Sequence, residues 1–567
     1  MSSDVRPDSR VAVEREPGLP ARVEIYDTTL RDGSQLEGIS LTVDDKLRIA
    51  EQLDWLGVDY IEAGYPGANP KDDEVFRRAA SELALDHSTL VAFGSTRRVK
   101  GKVDSDDSLR HLVEANVSTV CIVGKCWDYH VTEALQTTLD EGVAMVADSV
   151  EFLRGAGLEV FFDAEHFFDG YRRNPEFSLR VLEGAVLQGA TRLVLCDTNG
   201  GTLPHEVERI VREVTGYFAG SEQAANPGGG VGVAVHLHDD AGTGVANALA
   251  GVRGGAIQVQ GTVNGYGERT GNCNLTTIIP NLTLKMGIET IPRDRLERLT
   301  PVSHHVAELV NMALNPQAPY VGDSAFAHKA GLHVSAIVKR PDAYEHVAPQ
   351  SVGNGTRFVV SELAGKSTIL LKAKELGITL DGPQVNDVVD TLKRMEHEGY
   401  HFEVADASLE LLMRRASGWE QSWFRVESFR VITDDLPGVE AEAVSPAGVS
   451  TEATIKVHVG NERFVETAEG NGPVNALDRA LRRALGDRFP SLDRVHLTDF
   501  KVRVLDTGKG TGAITRVLID STNGERSWTT IGVSDNIIEA SWQALYDSLV
   551  YGLLLAEPGE LLAEPGE

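Results

Sequence analysis

Cysteine is scarce, with four residues in a chain of 567: Cys121, Cys126, Cys196 and Cys273. So few, so scattered, cannot build a disulfide framework, and they fit a reducing cytosol. Cys121 and Cys126 are too far apart for a C-x-x-C motif, and all four read as small buried hydrophobes. Positive charge is in deficit too: 54 Lys and Arg face 84 Asp and Glu, for a formal net charge of −30. That balance opposes general binding to nucleic acid or to an anionic membrane, so neither is expected as a partner. It leaves room for an anionic substrate, because a local metal or arginine can reverse the sign inside one pocket. No run of about 18 apolar residues occurs, so no membrane-spanning segment is expected. The first ~20 residues lack the apolar stretch of a signal peptide. A cytoplasmic location is therefore expected, with residues 1–20 disordered. The other end repeats AEPGE, and residues 556–567 read as a disordered, solvated tail.

What the chain does have is a recurring unit. Eight apolar runs of strand length appear in the first half: VEIYDTT, VDYIEAG, TLVAFGS, STVCIVG, LEVFFDA, TRLVLCD, VGVAVHLHD and AIQVQGTVN. Most are nearly continuous in Val, Ile, Leu and Phe, as strands buried on both faces require. Between them lie segments of helical periodicity, such as VDDKLRIAEQLDWLG, that close on glycine. Eight such units predict a (β/α)₈ barrel. A doubly wound open sheet is the alternative, but no G-x-G-x-x-G follows the first strand. The expected layout is a barrel over 21–287, a helical linker subdomain over 288–399, and a C-terminal α+β domain over 400–555.

Catalytic groups of such a barrel sit at the C-terminal ends of its strands. Those ends carry Arg31 and Asp32, Glu62, Lys125, then Asp163, Glu165 and His166, then Asp197, Thr198 and Asn199. The seventh ends in HLHDD, and the eighth runs into GTVNGYGERTGN. His236 and His238 are two apart, so both imidazoles face one side of the strand. An H-x-H pair alone is more often two surface or hydrogen-bonded histidines. Joined by Asp32 at the end of strand one, it makes a set of two histidines and a carboxylate with open positions for substrate. Asn272 could add an oxygen. Asp239 and Asp240 either orient a ligating imidazole or are plain loop acids. Arg31, next to the metal ligand, suits an enolate or carboxylate oxygen. The glycine-rich loop permits close backbone approach to a large anionic ligand, although glycine also serves tight turns.

Four motifs in order, DTTLRDGSQ, HLHDDAGTGVANALA, GTVNGYGERTGNCNL and AHKAGLHVSA, resemble the family of 2-isopropylmalate, homocitrate and citramalate synthases. The resemblance extends to GVSDNIIEASWQALYDSLVYGLL, which is similar to the regulatory domain of those synthases and is lacking in the lyases and aldolases that share the barrel. It implies a divalent cation (Mg²⁺, Mn²⁺ or Zn²⁺) held by Asp32, His236 and His238 with Asn272 nearby. It further implies acetyl-CoA as co-substrate, with Gly265, Gly267 and Glu268 on its side of the site. Arg31, Glu165, His333 and Tyr344 become the catalytic group, while Arg31, Gln35, Asp163 and Thr198 hold the 2-oxo acid. In the family, the groups matched by His333 and Tyr344 come from the neighbouring subunit, which implies a homodimer. Asp163 stands where relatives place tyrosine or serine, near the acceptor's side chain. FFDAEHFFDGYRRNP and LCDTNGGTLP resemble the citramalate branch, which implies pyruvate as acceptor; 2-oxoisovalerate and 2-oxoglutarate are the alternatives. A C-terminal effector site, for isoleucine, is implied as well; the DTGKGTGA stretch either offers flexible backbone near such a site or simply connects two strands. A lyase or aldolase on the same barrel, and a biotin-dependent carboxyltransferase with Lys125 as its lysine, are the rival readings.

Overall fold

The computed structural model describes residues 13–219, 231–329, 333, 336–337, 339–360, 365–435, 449–505 and 507–556. Of the segments expected to be disordered, 1–20 and 556–567, residues 1–12 and 557–567 fall outside the described residues, as does most of the AGLH stretch, whereas residues 13–20 are described and Leu19 packs against the main core.

The first eight strands are Glu24–Asp27 (β1), Tyr60–Gly64 (β2), Thr89–Ser95 (β3), Thr119–Lys125 (β4), Glu159–Glu165 (β5), Arg192–Asp197 (β6), Gly232–Leu237 (β7) and Gln258–Gly261 (β8). They are parallel and close into a barrel, β8 pairing with β1 through Tyr26↔Gln260 and Asp27↔Gly261. Local sequence sets the helices between them. Thr42 caps helix Val43–Leu56 through a reciprocal box with Asp45, and Gly57 ends it at a φ of 94°. Strands β1 and β7 stop earlier than their apolar runs suggest, as does β8, which ends at Gly261. The chain leaves β1 after Asp27 for a 3₁₀ turn at Gly33–Gln35, and β7 stops at Leu237. His238 lies just beyond, in an isolated bridge with Asn272. The departures of β1 and β7 occur where polar side chains gather, because a ligand rim needs backbone that bends away from the ladder.

Outward-facing residues such as Ile25, Ile61, Ile122, Val160 and Leu195 pack against the helices in the main core. Inward-facing residues stack in layers. At the floor, Arg192 makes a bidentate ion pair with Glu24 (2.6 and 3.0 Å), and Gln258 donates to the same carboxylate. Above it, the rings of Tyr26, Tyr60 and Phe161 lie 5.1–6.1 Å apart. Phe161 is fully buried. Phe161→Ala should therefore destabilise the barrel by about 3–5 kcal/mol, read from its chemical denaturation transition. A loss below about 1 kcal/mol would mean that this layer is not tightly packed.

The chain divides into two compact units, Met1–Phe326 with Glu345–Thr356, and Ala327–Tyr344 with Arg357–Glu567. Residues 288–399 are thus shared between them. Helix Leu299–Leu309 belongs to the first, and helices Lys366–Glu375 and Gly382–His397 to the second. The second unit begins with a short parallel pair, Ala327–His328 (β9) and Arg357–Phe358 (β10). It continues with two antiparallel three-stranded sheets. These are Arg425–Asp435 (β11), Val449–Val459 (β12) and Glu462–Gly470 (β13), then His496–Val504 (β14), Thr515–Thr522 (β15) and Ser527–Ser534 (β16). Helices Pro473–Leu485 and Ile537–Leu555 bury Leu477, Leu481, Leu545 and Leu549 with Ile455 and Ile519 of the sheets. This is the α+β domain expected from the alternating pattern. Among the described residues, no helix is long and apolar enough to cross a membrane.

Candidate active site

Three remote segments meet at the C-terminal rim of the barrel. Asp32 Oδ2 lies 3.2 Å from His236 Nε2 and 3.6 Å from His238 Nε2. All three side chains are buried, and among the described residues they form the one cluster able to hold a metal ion. The strand alternation behind the motif is seen directly: His236 and His238 are on one side, their rings 5.3 Å apart, while Val235 and Leu237 join the outer core. Asn272 is 2% exposed, and its Nδ2 donates to the Tyr266 carbonyl at 3.2 Å. Its Oδ1 is buried without a hydrogen-bond partner. An orphaned buried acceptor is costly, so a site that supplies a cation would relieve it. Two imidazole nitrogens, a carboxylate and an amide oxygen suit a divalent metal that tolerates mixed nitrogen and oxygen ligation.

Electrostatics agree with this donor set. Burial opposes ionisation of Asp32, but the Arg31 guanidinium and the two imidazoles outweigh it and hold the carboxyl well below its usual range. Burial and the neighbouring His236 push His238 down to about 4, so that ring stays neutral and keeps a lone pair to offer. His236 is raised despite its burial, because Asp32 faces its Nε2.

Arg31 is clamped. Its Nε donates to Glu62 Oε1 at 2.6 Å, its Nη1 lies 3.5 Å from Asp32, and its guanidinium carbon sits 3.8 Å above the Phe93 ring. Glu62 is fully buried and also accepts from Tyr26 Oη and Thr28 Oγ1, both at 2.6 Å. Three donors to one buried carboxylate fix its orientation, and thereby that of Arg31. The strand-end reading named Glu62 on the rim but gave it no task. The available signal was an acid closing an otherwise apolar inner strand. Beside Arg31 opens a cavity of about 760 Å³, bordered by Gln35, Ser34, Lys46, Tyr65 and Phe93.

The remaining sequence candidates fall in different places. Glu165 ends β5 and pairs with Lys125, its register partner at the end of β4. Thr198 Oγ1 accepts from the backbone N–H of His166 at 3.0 Å. Asp163 is 3% exposed and turned into the barrel, where burial lifts its carboxyl to about 6. Its Oδ1 accepts from Cys121 Sγ at 3.0 Å and Gln260 Nε2 at 3.5 Å. Gly267 has a φ of 151°, and a Cβ there would meet Asn272 Nδ2 at 2.3 Å; at Gly271 it would meet the Gly265 carbonyl at 2.0 Å. The close approach these glycines allow is thus to their own loop, which folds in to present Asn272. Glu268 is exposed, 3.7 Å from Arg269. Neither acid after His238 touches an imidazole. Asp239 accepts from Gly244 N, and Asp240 pairs with Arg269 at 2.7 Å. The group that faces His236 Nδ1 is Gln260, at 3.0 Å. In the second unit, His333 and Tyr344 bring their rings within 4.4 Å of each other, both exposed.

Residues 22–305 match the HMGL-like family, 320–400 the homocitrate synthase post-HMGL domain-like family, and 403–553 the LeuA allosteric (dimerisation) domain. The (R)-citramalate synthase of Aquifex aeolicus is 48% identical over 96% of this chain and 100% of its own. Those of Synechocystis sp. and Streptomyces coelicolor are each 50% identical over 94% of this chain and 97% of theirs. With the barrel, the rim cluster and the C-terminal α+β domain all within the matched length, the chain belongs to the (R)-citramalate synthase family of HMGL-like barrel enzymes.

Proposed function

We propose that the chain condenses acetyl-CoA with pyruvate and water to give (R)-citramalate and CoA, in the cytosol, where its four buried thiols stay reduced. The observation that carries this reading is the convergence of Asp32, His236 and His238 with the unsatisfied Asn272 oxygen beside a clamped arginine. A divalent cation held by these four residues supplies Lewis-acid polarisation of the 2-oxo acid carbonyl. Arg31, held by Glu62 and Phe93, donates hydrogen bonds to the oxygen that gains charge as that carbonyl is attacked. Gln35 and Thr198 border the acceptor. Gly265, Gly267 and Glu268 lie toward the acetyl-CoA side. His333, directly or through a water, takes the proton from the acetyl methyl, with Glu165 orienting it and Tyr344 beside it. Hydrolysis of the thioester then makes the condensation irreversible. His333 and Tyr344 act across a homodimer, which supports reading the LeuA-type domain as the dimerising part. That domain takes the end-product amino acid isoleucine as effector, and the loop at Thr507–Gly512 borders that effector site.

Thiol release from acetyl-CoA, measured with pyruvate, 2-oxoisovalerate and 2-oxoglutarate in turn and with Mg²⁺ or Mn²⁺ present, tests the reading. Pyruvate should give the highest kcat/KM. Each extra methylene of an acceptor changes discrimination by about 1–3 kcal/mol, so preferences of ~10-fold or more are readable. Preference for 2-oxoisovalerate would transfer the assignment to 2-isopropylmalate synthesis, and no release with any of the three would end the synthase reading.

A further inference from the structure

The two imidazoles of the rim cluster are held unequally. His238 Nδ1 is buried with no hydrogen-bond partner. His236 Nδ1 lies 3.0 Å from Gln260 Oε1, on the strand neighbour with which His236 is in register. Gln260 is itself fully buried, and its Nε2 faces Asp163 Oδ1 at 3.5 Å. Cys121 Sγ donates to the same oxygen at 3.0 Å. The line therefore runs from β4 and β5 through β8 to β7, across the barrel interior.

Each step limits the next. A carboxylate accepts only, so the amide of Gln260 must turn its NH₂ toward Asp163. That leaves the amide oxygen toward His236, and an oxygen there requires a proton on Nδ1. With the proton on Nδ1, the lone pair of the neutral ring is on Nε2, the atom 3.2 Å from Asp32. We propose that Gln260 is a positioning residue that fixes the tautomer and ring plane of His236 for metal binding, and that Asp163 acts through it by setting the sense of the amide. This gives Asp163 a place in the metal site rather than against the acceptor's side chain. The inference rests on the reading of Asp32, His236 and His238 as a metal site.

The test is metal affinity, read apart from turnover. The full-length protein is stripped with EDTA and titrated with Mn²⁺ in competition with a fluorescent chelator, and Co²⁺ absorption reports the ligand set. Gln260→Leu should weaken Mn²⁺ binding about 10–100-fold, the usual cost of losing the hydrogen-bond partner of a ligating histidine. The exchange variant Gln260→Glu with Asp163→Asn keeps the net charge and an acceptor oxygen facing His236 Nδ1–H, while the hydrogen bond between positions 260 and 163 reverses its sense. Its new carboxylate accepts from Nδ1–H, and its new amide donates to that carboxylate. It should bind Mn²⁺ close to the parent's affinity and give the parent's Co²⁺ spectrum. Unchanged affinity in folded Gln260→Leu overturns the proposal, as does loss of binding in the folded exchange variant, which carries the test alone if Gln260→Leu does not fold. A parent protein that binds no Mn²⁺ removes the metal-site reading itself, whereas a parent that binds the ion and releases no thiol leaves this inference standing and ends the synthase reading.

Discussion

Asp32→Asn should abolish measurable thiol release and release the metal. Asp32 is the one carboxylate of the cluster, buried between two imidazoles and 3.5 Å from Arg31. Replacing it by a neutral amide leaves a buried guanidinium and a buried cation without their shared counter-charge. Breaking a buried ionic contact of this kind costs about 3–5 kcal/mol, which is ~10²–10³-fold or more in metal affinity. The carboxyl is held far below its usual range, so it is anionic throughout pH 6–9 and the variant lacks that charge at every working pH. Bound metal counted by mass spectrometry, with thiol release on the same sample, checks both halves. Retention of the ion within about threefold of the parent's affinity would show that the cluster is not its site.

The second large effect is at Arg31. Its alanine variant should lower kcat by about 10²–10³-fold with a much smaller change in KM, because the guanidinium acts where charge develops rather than where substrate first binds. Arg31→Lys should recover little. The clamp uses Nε toward Glu62, a cation over the Phe93 ring and Nη1 toward Asp32, and an ammonium offers one point charge instead of that planar fork. Glu62→Gln supplies the control. Arg31 would remain but lose its fixed orientation, so kcat should fall by less than in Arg31→Ala. If both variants turn over at nearly the parent's rate, Arg31 is a structural cation and the oxygen must be stabilised by other groups.

Much of this site could be read from the chain because its chemistry rides on short periods. His236 and His238 are two apart, so alternation puts both imidazoles on one side, and Arg31 with Asp32 follows the first strand, so the rule that catalytic groups gather at strand ends puts them on the same rim. Eight apolar runs with glycine-stopped helices between them likewise announce a closed barrel. Glu62, Phe93 and Gln260 were silent for the opposite reason. Their tasks depend on the register between strands: Glu62 reaches Arg31 through the β1–β2 pair, and Gln260 stands opposite His236 in the β7–β8 pair. Asp163 shows the same limit: its position on β5 is evident, yet its partners Cys121 and Gln260 come from β4 and β8. The glycines of the eighth loop were legible as close-approach positions, but what they approach, Asn272 and their own backbone, is a fact of tertiary structure.

The sealed floor of the barrel has a kinetic corollary. The Arg192–Glu24 pair and the tilted and edge-on rings of Tyr26, Tyr60 and Phe161 fill the lower layers of the barrel, beneath the rim that carries Asp32, His236 and His238. Every molecule that reaches the cluster must depart by the doorway it came through. A lingering product therefore stands in the way of the next arrival, and such one-way traffic favours competition between what leaves and what enters.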